Sequence, residues 1–295
     1  MLLRGPDEMW VHPPQGWILP PPISLVLFNL RKLRYPSIVR PVSVLDEIPE
    51  STLRDAEILI VDNRSTDDTV EKVQQARSEN RWSVPVHLVQ PEKNMGYAGS
   101  QKLAYSIVLS SPDVKRVIML HGDGQYPPEL LTGFEPYIDS DYGVVYGYRD
   151  KAVYPEKEET PAGTYRVIKL LSALESFITG HRRKEWHTGF VMYSREFLSR
   201  VDLGAVTGTY HIDGNMQFLA GELNEKVMPI PIWKRYDDYE PLTGSKRLTY
   251  IYHVLRLMVS FRLQKYRRNH KTNTTRKPEV GPYSVLPNQA GGNRE

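Results

Sequence analysis

The 295-residue sequence contains no cysteine. That excludes disulfides, thiolate nucleophiles and cysteine-built metal sites, and it is compatible with a reducing compartment. Nor is there an uninterrupted run of about 18 apolar residues, the length a membrane-spanning helix needs. The first 22 residues are too rich in proline and polar side chains for the apolar centre of a signal peptide, so a cytoplasmic protein is expected. A large excess of charge is also missing: a formal net charge of +3 gives no ground for nucleic-acid binding. The composition, 40% hydrophobic and 25% charged, is that of an ordinary folded domain. A chain of this length can bury roughly three-quarters of its unfolded surface.

Prolines at 6, 13, 14, 20, 21 and 22 oppose helix and sheet, so residues 1–22 read as an arm. Short apolar runs then recur at Ile23–Phe28, Ile58–Val61, Val86–Val89, Val117–Leu120, Val144–Tyr146, Phe190–Tyr193 and Val227–Trp233. They have the length of buried strands. Segments with helical spacing lie between several of them, at Asp67–Ser78, Ser100–Ser110, Tyr165–Thr179 and Asp213–Leu223. This alternation predicts an α/β fold over residues 23–248. Residues 249–270 read as a basic amphipathic helix. Residues 271–295, polar and without an apolar period, read as a disordered tail.

In open α/β sheets ligands sit beyond the carboxyl ends of the strands, so polar residues just after each apolar run are the first suspects. Asp62 and Asn63 follow one run, and capping of the next helix accounts for Ser65, Thr66 and Asp67 but not for these two. Asn94 and Gly96 open a small-residue turn before a helix, which offers N–H groups to an anion or is an ordinary loop and cap. The sharpest signal is His121-Gly122-Asp123-Gly124-Gln125, an imidazole and a carboxylate between glycines at a strand tip. A hard cation such as Mg2+ needs one or two carboxylates plus phosphate oxygens, and this turn leaves room for a diphosphate. The fourth place, Trp233-Lys234-Arg235-Tyr236 with Thr243-Gly244-Ser245-Lys246-Arg247, suits phosphate recognition or is a solvated basic loop.

Taken in order, with Gly147-Tyr148-Arg149 and Thr188-Gly189-Phe190 between them, these segments resemble glycosyltransferase family 2, and within it the dolichol-phosphate mannosyltransferase-like branch. The resemblance implies a GT-A fold: a mostly parallel central sheet flanked by helices, with a Rossmann-like nucleotide-binding half. It also implies an inverting transfer from a nucleoside-diphosphate sugar. Asp62 and Asn63 would hold the base, with Asn63 standing where the family has a carboxylate. Asn94, Gly96, Gly122, Gln125, Arg149, Gly244 and Ser245 would line the donor. Asp123 would bridge Mg2+ or Mn2+ to the diphosphate, and His121, in place of an acid, is the second candidate for the metal. Lys246 and Arg235 would neutralise the departing diphosphate. Glu185, His187 and Thr188 would face the acceptor. Asp213, just before a helix, is expected either as general base or as a plain helix cap.

Two acceptors fit this reading: a polyprenyl phosphate, which calls for peripheral contact at the inner membrane face through Tyr250–Lys271, or a small soluble hydroxyl compound. The competing functions are a nucleotide-sugar-binding protein that has lost activity and a sugar nucleotidyltransferase. Against the latter, Phe28-Asn29-Leu30-Arg31-Lys32 lacks glycine.

Overall fold

The computed structural model describes residues 23–28, 40–236, 244–263 and 282–288. The proline-rich arm lies outside them.

Among the described residues, eight strands form one sheet in the order β7-β5-β6-β4-β1-β2-β3-β8. They are β1 Ile23–Phe28, β2 Ala56–Val61, β3 Val86–Pro91, β4 Arg116–His121, β5 Val144–Arg149, β6 Val191–Ser194, β7 Val227–Ile232 and β8 Tyr283–Leu286. The helices are α1 Arg40–Asp46, α2 Thr69–Ser78, α3 Gly96–Ser110, α4 Ala162–Thr179, α5 Arg195–Ser199, α6 Ile212–Glu222 and α7 Gly244–Arg262. Strands β1 to β4 are mutually parallel; β6 runs against β4 and β5, which restores β5 and its parallel neighbour β7 to the common direction. Of these strands only β6 and β8 are reversed.

The pleat sorts the apolar runs onto two faces. Leu59, Val61, Val117 and Met119 point into one core layer with α3, α6 and α7, whereas Ile58, Ile60, Ile118 and Leu120 point into the other with α1 and α2. All six residues of β2 are buried, as expected for a central strand covered on both sides. The expected strands and helices are present with small shifts of boundary.

Three elements depart from the sequence reading. Helix α1 forms in a proline-containing stretch because Pro41 sits in its first turn, where no N–H donor is required. The expected disordered tail contributes β8, paired antiparallel with β3. Helix α7 begins at Gly244, inside the expected basic loop, and runs unbroken past residue 249, with Val254, Met258 and Phe261 buried in the core. No helix among the described residues is long and apolar enough to cross a membrane.

Candidate active site

The shared direction of six strands brings their carboxyl ends to one edge of the sheet. His121 and Arg149 are the last residues of such strands, Asp62, Asn94, Asp123 and Lys234 lie just beyond their ends, and the reversed β6 delivers Glu185 to Gly189 at the same edge.

Asp62 is fully buried. Its carboxylate accepts the Ser65 N–H at 3.2 Å and the Gln90 amide at 2.7 Å. Asn63 accepts the Met95 N–H at 2.8 Å and donates to Asn94 at 3.1 Å, while Asn94 in turn accepts the Gly96 N–H at 2.9 Å. These amides fasten the turn before α3, where Gly96 adopts φ +70°. An amide at position 63 can both donate and accept, and the turn uses both capacities.

At the end of β4, Asp123 accepts the Gln125 N–H at 3.0 Å. Gln125 is buried and its side-chain nitrogen has no protein partner. Because the two ends of an amide are assigned from their surroundings, that position can present either a donor or an oxygen to a ligand. One carboxylate beside an unsatisfied buried amide fits a divalent cation that takes its remaining ligands from phosphate.

His121 turns elsewhere. Its Nε2 lies 3.2 Å from the Tyr97 hydroxyl, which donates to Asp213 at 2.7 Å. With the single Tyr97 proton given to Asp213, His121 Nε2 carries its own proton and donates to the Tyr97 oxygen, so any metal contact of His121 would use Nδ1. Burial, offset partly by Asp123 and reinforced by Lys234, lowers the His121 pKa to about 4, which keeps the ring neutral. Gly189 makes this contact possible: a Cβ there would stand 2.5 Å from His121 Nε2 and 2.8 Å from the Tyr97 oxygen.

Asp213 lies in the first turn of α6, buried, accepting from Tyr97 and, at 3.2 Å, from Gln101. Burial raises its pKa to about 6 against the opposing effect of those hydrogen bonds and of Lys234. It is not a capping residue, since the position before the helix is His211 and makes no side-chain cap.

Two expected acceptor-side residues have other occupations. Glu185 is completely buried and accepts from the Arg149 backbone N–H at 2.9 Å, from Nε at 2.8 Å and from Nη2. Arg149 Nη2 also reaches the His187 carbonyl at 3.1 Å. Glu185 thus serves a buried ion pair, and Arg149 is positioned by it. Thr188 accepts the Phe190 N–H at 3.3 Å.

Among the basic residues, Arg235 pairs with Glu47 at 2.9 Å and with Glu129 at 3.7 Å. Lys234 is the cation directed into the site. It stands 4.1 Å over the Tyr126 ring, and its pKa is lowered, chiefly by burial and then by Arg149. Tyr97, Gln101, Tyr126 and Lys234 were not singled out from sequence, although each lies in or beside one of the suspected segments. Gly244 starts α7, and the side chains of Ser245 and Lys246 lie outside the described residues.

Residues 41–202 match the family model described as glycosyl transferase family 2. The chain belongs to glycosyl transferase family 2. It is therefore a glycosyltransferase, and the α/β architecture above is the GT-A fold. Among solved structures, mannosyl-3-phosphoglycerate synthase from Rubrobacter xylanophilus matches at TM-score 0.55 and 17% identity, covering 84% of this chain and 76% of that one. Glucosyl-3-phosphoglycerate synthase from Mycobacterium tuberculosis, in complex with Mn2+, UDP and phosphoglyceric acid, matches at TM-score 0.52 and 16% identity over 87% of this chain and 84% of that one. The same enzyme with Mn2+, UDP-glucose and phosphoglyceric acid gives 0.52 and 15%, over 83% and 79%. At these identities the likeness is one of fold. No curated protein sequence matches the chain.

Proposed function

We propose that this family 2 member transfers a sugar, with inversion, from a nucleoside-diphosphate sugar to the hydroxyl of a small acceptor. The observation that carries the reading is Asp213: a buried carboxylate with a pKa of about 6, held by Tyr97 and Gln101, and linked through Tyr97 to His121 at the strand end that leads to Asp123. A base with that pKa is ionised at neutral pH and can accept the acceptor's proton as the new bond forms. In-line attack assisted by such a base inverts the anomeric centre.

Asp123 is the proposed ligand of Mg2+ or Mn2+, with Gln125 beside it; bound there, the cation would neutralise charge on the leaving diphosphate. Lys234 takes the part first given to Arg235, because Arg235 is paired with two carboxylates. The first-turn N–H groups of α7 at Gly244, with Ser245 and Lys246, are proposed to receive phosphate. Asp62 retains carboxylate lone pairs for a base edge, and Asn63 supports it by fixing the turn at Asn94 and Gly96. The two Mycobacterium tuberculosis structures named above hold UDP or UDP-glucose, Mn2+ and phosphoglyceric acid, which favours a uridine donor and a small anionic acceptor.

The test is a thermal-shift panel of nucleoside diphosphates with and without Mn2+, followed by NMR of the product's anomeric configuration. A uridine diphosphate shift that requires Mn2+, and inversion, are expected, since a ligand of the native state stabilises it by mass action. Retention of configuration, or no nucleotide shift at all, would overturn the proposal.

One observation favours a second reading, a lipid-linked acceptor of the dolichol-phosphate branch. Helices α4 and α7 pack together and leave apolar side chains exposed, among them Phe177 at 86%, Leu170 at 71% and Tyr252 at 59%. On α4 they recur at Val167, Leu170, Leu174 and Phe177, the spacing of one helix face, and exposed apolar patches mark interaction sites. Of the basic residues in the Tyr250–Lys271 segment expected to meet a membrane, Arg256 is exposed on α7, whereas the side chains of Arg262, Lys265, Arg267 and Arg268 lie outside the described residues. On this reading the protein sediments with anionic vesicles, and serine at Leu170 and Phe177 releases it. Failure of the parent protein to sediment would remove the lipid acceptor.

A further inference from the structure

Behind the proposed sugar-transfer site lies a second convergence of ligand groups. Glu175 on α4, His187 in the loop before β6 and His211 at the start of α6 come from three separate parts of the chain. Their side chains are 0%, 4% and 2% exposed. One ligand atom from each lies within 4.8 Å of the other two. His187 Nε2 stands 2.9 Å from one carboxylate oxygen of Glu175, and His211 Nε2 stands 3.5 Å from the other. Neither contact has the geometry of a hydrogen bond, and all four atoms are buried without a hydrogen-bonding partner. An unsatisfied buried carboxylate facing two unsatisfied imidazole nitrogens is costly unless something shared lies between them.

The geometry points to a second cation site, formed by Glu175 Oε, His187 Nε2 and His211 Nε2, that takes a zinc-class divalent ion. Two imidazoles and one carboxylate form a donor set suited to Zn2+ rather than to Mg2+, which prefers oxygen throughout. The chemistry behind the rings agrees. The Tyr250 hydroxyl lies 2.6 Å from His187 Nδ1 and 3.5 Å from His211 Nδ1. With protons on both Nδ1 atoms, the Tyr250 oxygen accepts from them and both Nε2 lone pairs turn towards Glu175, the tautomer that metal binding requires.

Gly214 makes room for the His211 ring, since a Cβ there would stand 2.2 Å from its Cε1. The site would join α4, the Arg149-contacting loop, the start of α6 and, through Tyr250, α7. Asp213 lies two residues beyond His211, so the ion would be a positioning device for the proposed base without touching substrate. The assignment stands on these contacts alone and does not depend on the sugar-transfer reading.

The experiment uses the whole protein, stripped with a chelator and dialysed against micromolar Zn2+, with bound metal counted by mass spectrometry and melting followed in parallel. One equivalent of zinc is expected in the parent and in Asp123→Ala, together with a higher melting temperature that the chelator reverses. Glu175→Gln and His211→Asn should each lose stoichiometric zinc, and Tyr250→Phe should weaken its affinity roughly tenfold or more. No zinc in the parent, or zinc retained in both ligand variants, would overturn the assignment. Should those variants not fold, Co2+ in the parent decides: intense visible bands of a four-coordinate ion support the site, and the weak spectrum of a six-coordinate ion rejects it.

Discussion

Replacing Asp213 with asparagine is expected to lower kcat by about 10²–10⁴, the contribution of a positioned general base. The parent should lose kcat/KM on the acid side with a midpoint near pH 6, the value to which burial raises this carboxyl, and the variant should lose that limb of the profile. The same residue makes an opposite prediction for stability. Because its folded-state pKa is raised above that of an exposed aspartate, its protonated form is favoured by the fold. The stability this contributes is full below about pH 4 and is lost as pH rises through about 6. Above that, an ionised Asp213 costs up to about 3 kcal/mol, taking the shift at about 1.4 kcal/mol per unit. The substituted amide avoids this cost but gives up part of the bonding to Tyr97 and Gln101. The variant should therefore be no less stable than the parent at pH 8 while being nearly inactive. Denaturant melts at pH 5 and pH 8, run beside the rate profile, check both halves. Near-parental turnover in the variant would assign Asp213 to packing alone.

Removal of the other carboxylate, Asp123→Ala, should reduce turnover by roughly a hundredfold or more, equivalent to several kcal/mol of barrier. The fold should survive, because Asp123 stands past the end of β4 and its carboxylate bonds locally, to the Gln125 N–H. The distinguishing measurement is the Mn2+ dependence of nucleotide binding. In the parent, Mn2+ should strengthen the uridine diphosphate thermal shift; in the variant, shifts with and without Mn2+ should coincide. Undiminished Mn2+-dependent turnover by Asp123→Ala would place the catalytic cation elsewhere. The zinc-class site at Glu175, His187 and His211 should be unaffected, which separates the two metal assignments.

The two effects have different physical origins and should combine differently. In the proposed mechanism Asp213 acts on the acceptor's proton and Asp123 on the charge of the leaving group, yet both adjoin one hydrogen-bonded chain through Tyr97 and His121. Residues that share a network do not add independently.

The sheet and the location of the site were legible because their signals are local. Short apolar runs such as Ile58–Val61 and Val144–Tyr146 have the length of strands buried on both faces, and in such a sheet ligands gather beyond the carboxyl ends. That reasoning picked out Asp62 and Asp123 without coordinates, and the resemblance to the family added Arg149. Sequence also determined the absence of cysteine chemistry and, through the order of its motifs, the family. Tertiary structure decided the partners. Glu185 reads as an acceptor contact until Arg149, 36 positions away in sequence, closes on it as a buried ion pair. Arg235 reads as the diphosphate cation until Glu47 and Glu129 are found beside it, leaving Lys234 to turn inward over Tyr126. Tyr97 carried no signal of its own, because its function arises where α3, β4 and α6 meet. The same holds for Glu175, His187, His211 and Tyr250: no spacing in the chain relates them, and only packing of α4, α6 and α7 against one another brings their polar atoms to a common point. A residue's chemical type and local period are written in the sequence, whereas its pKa, its hydrogen-bond partner and its freedom to meet a ligand depend on atoms contributed by distant segments.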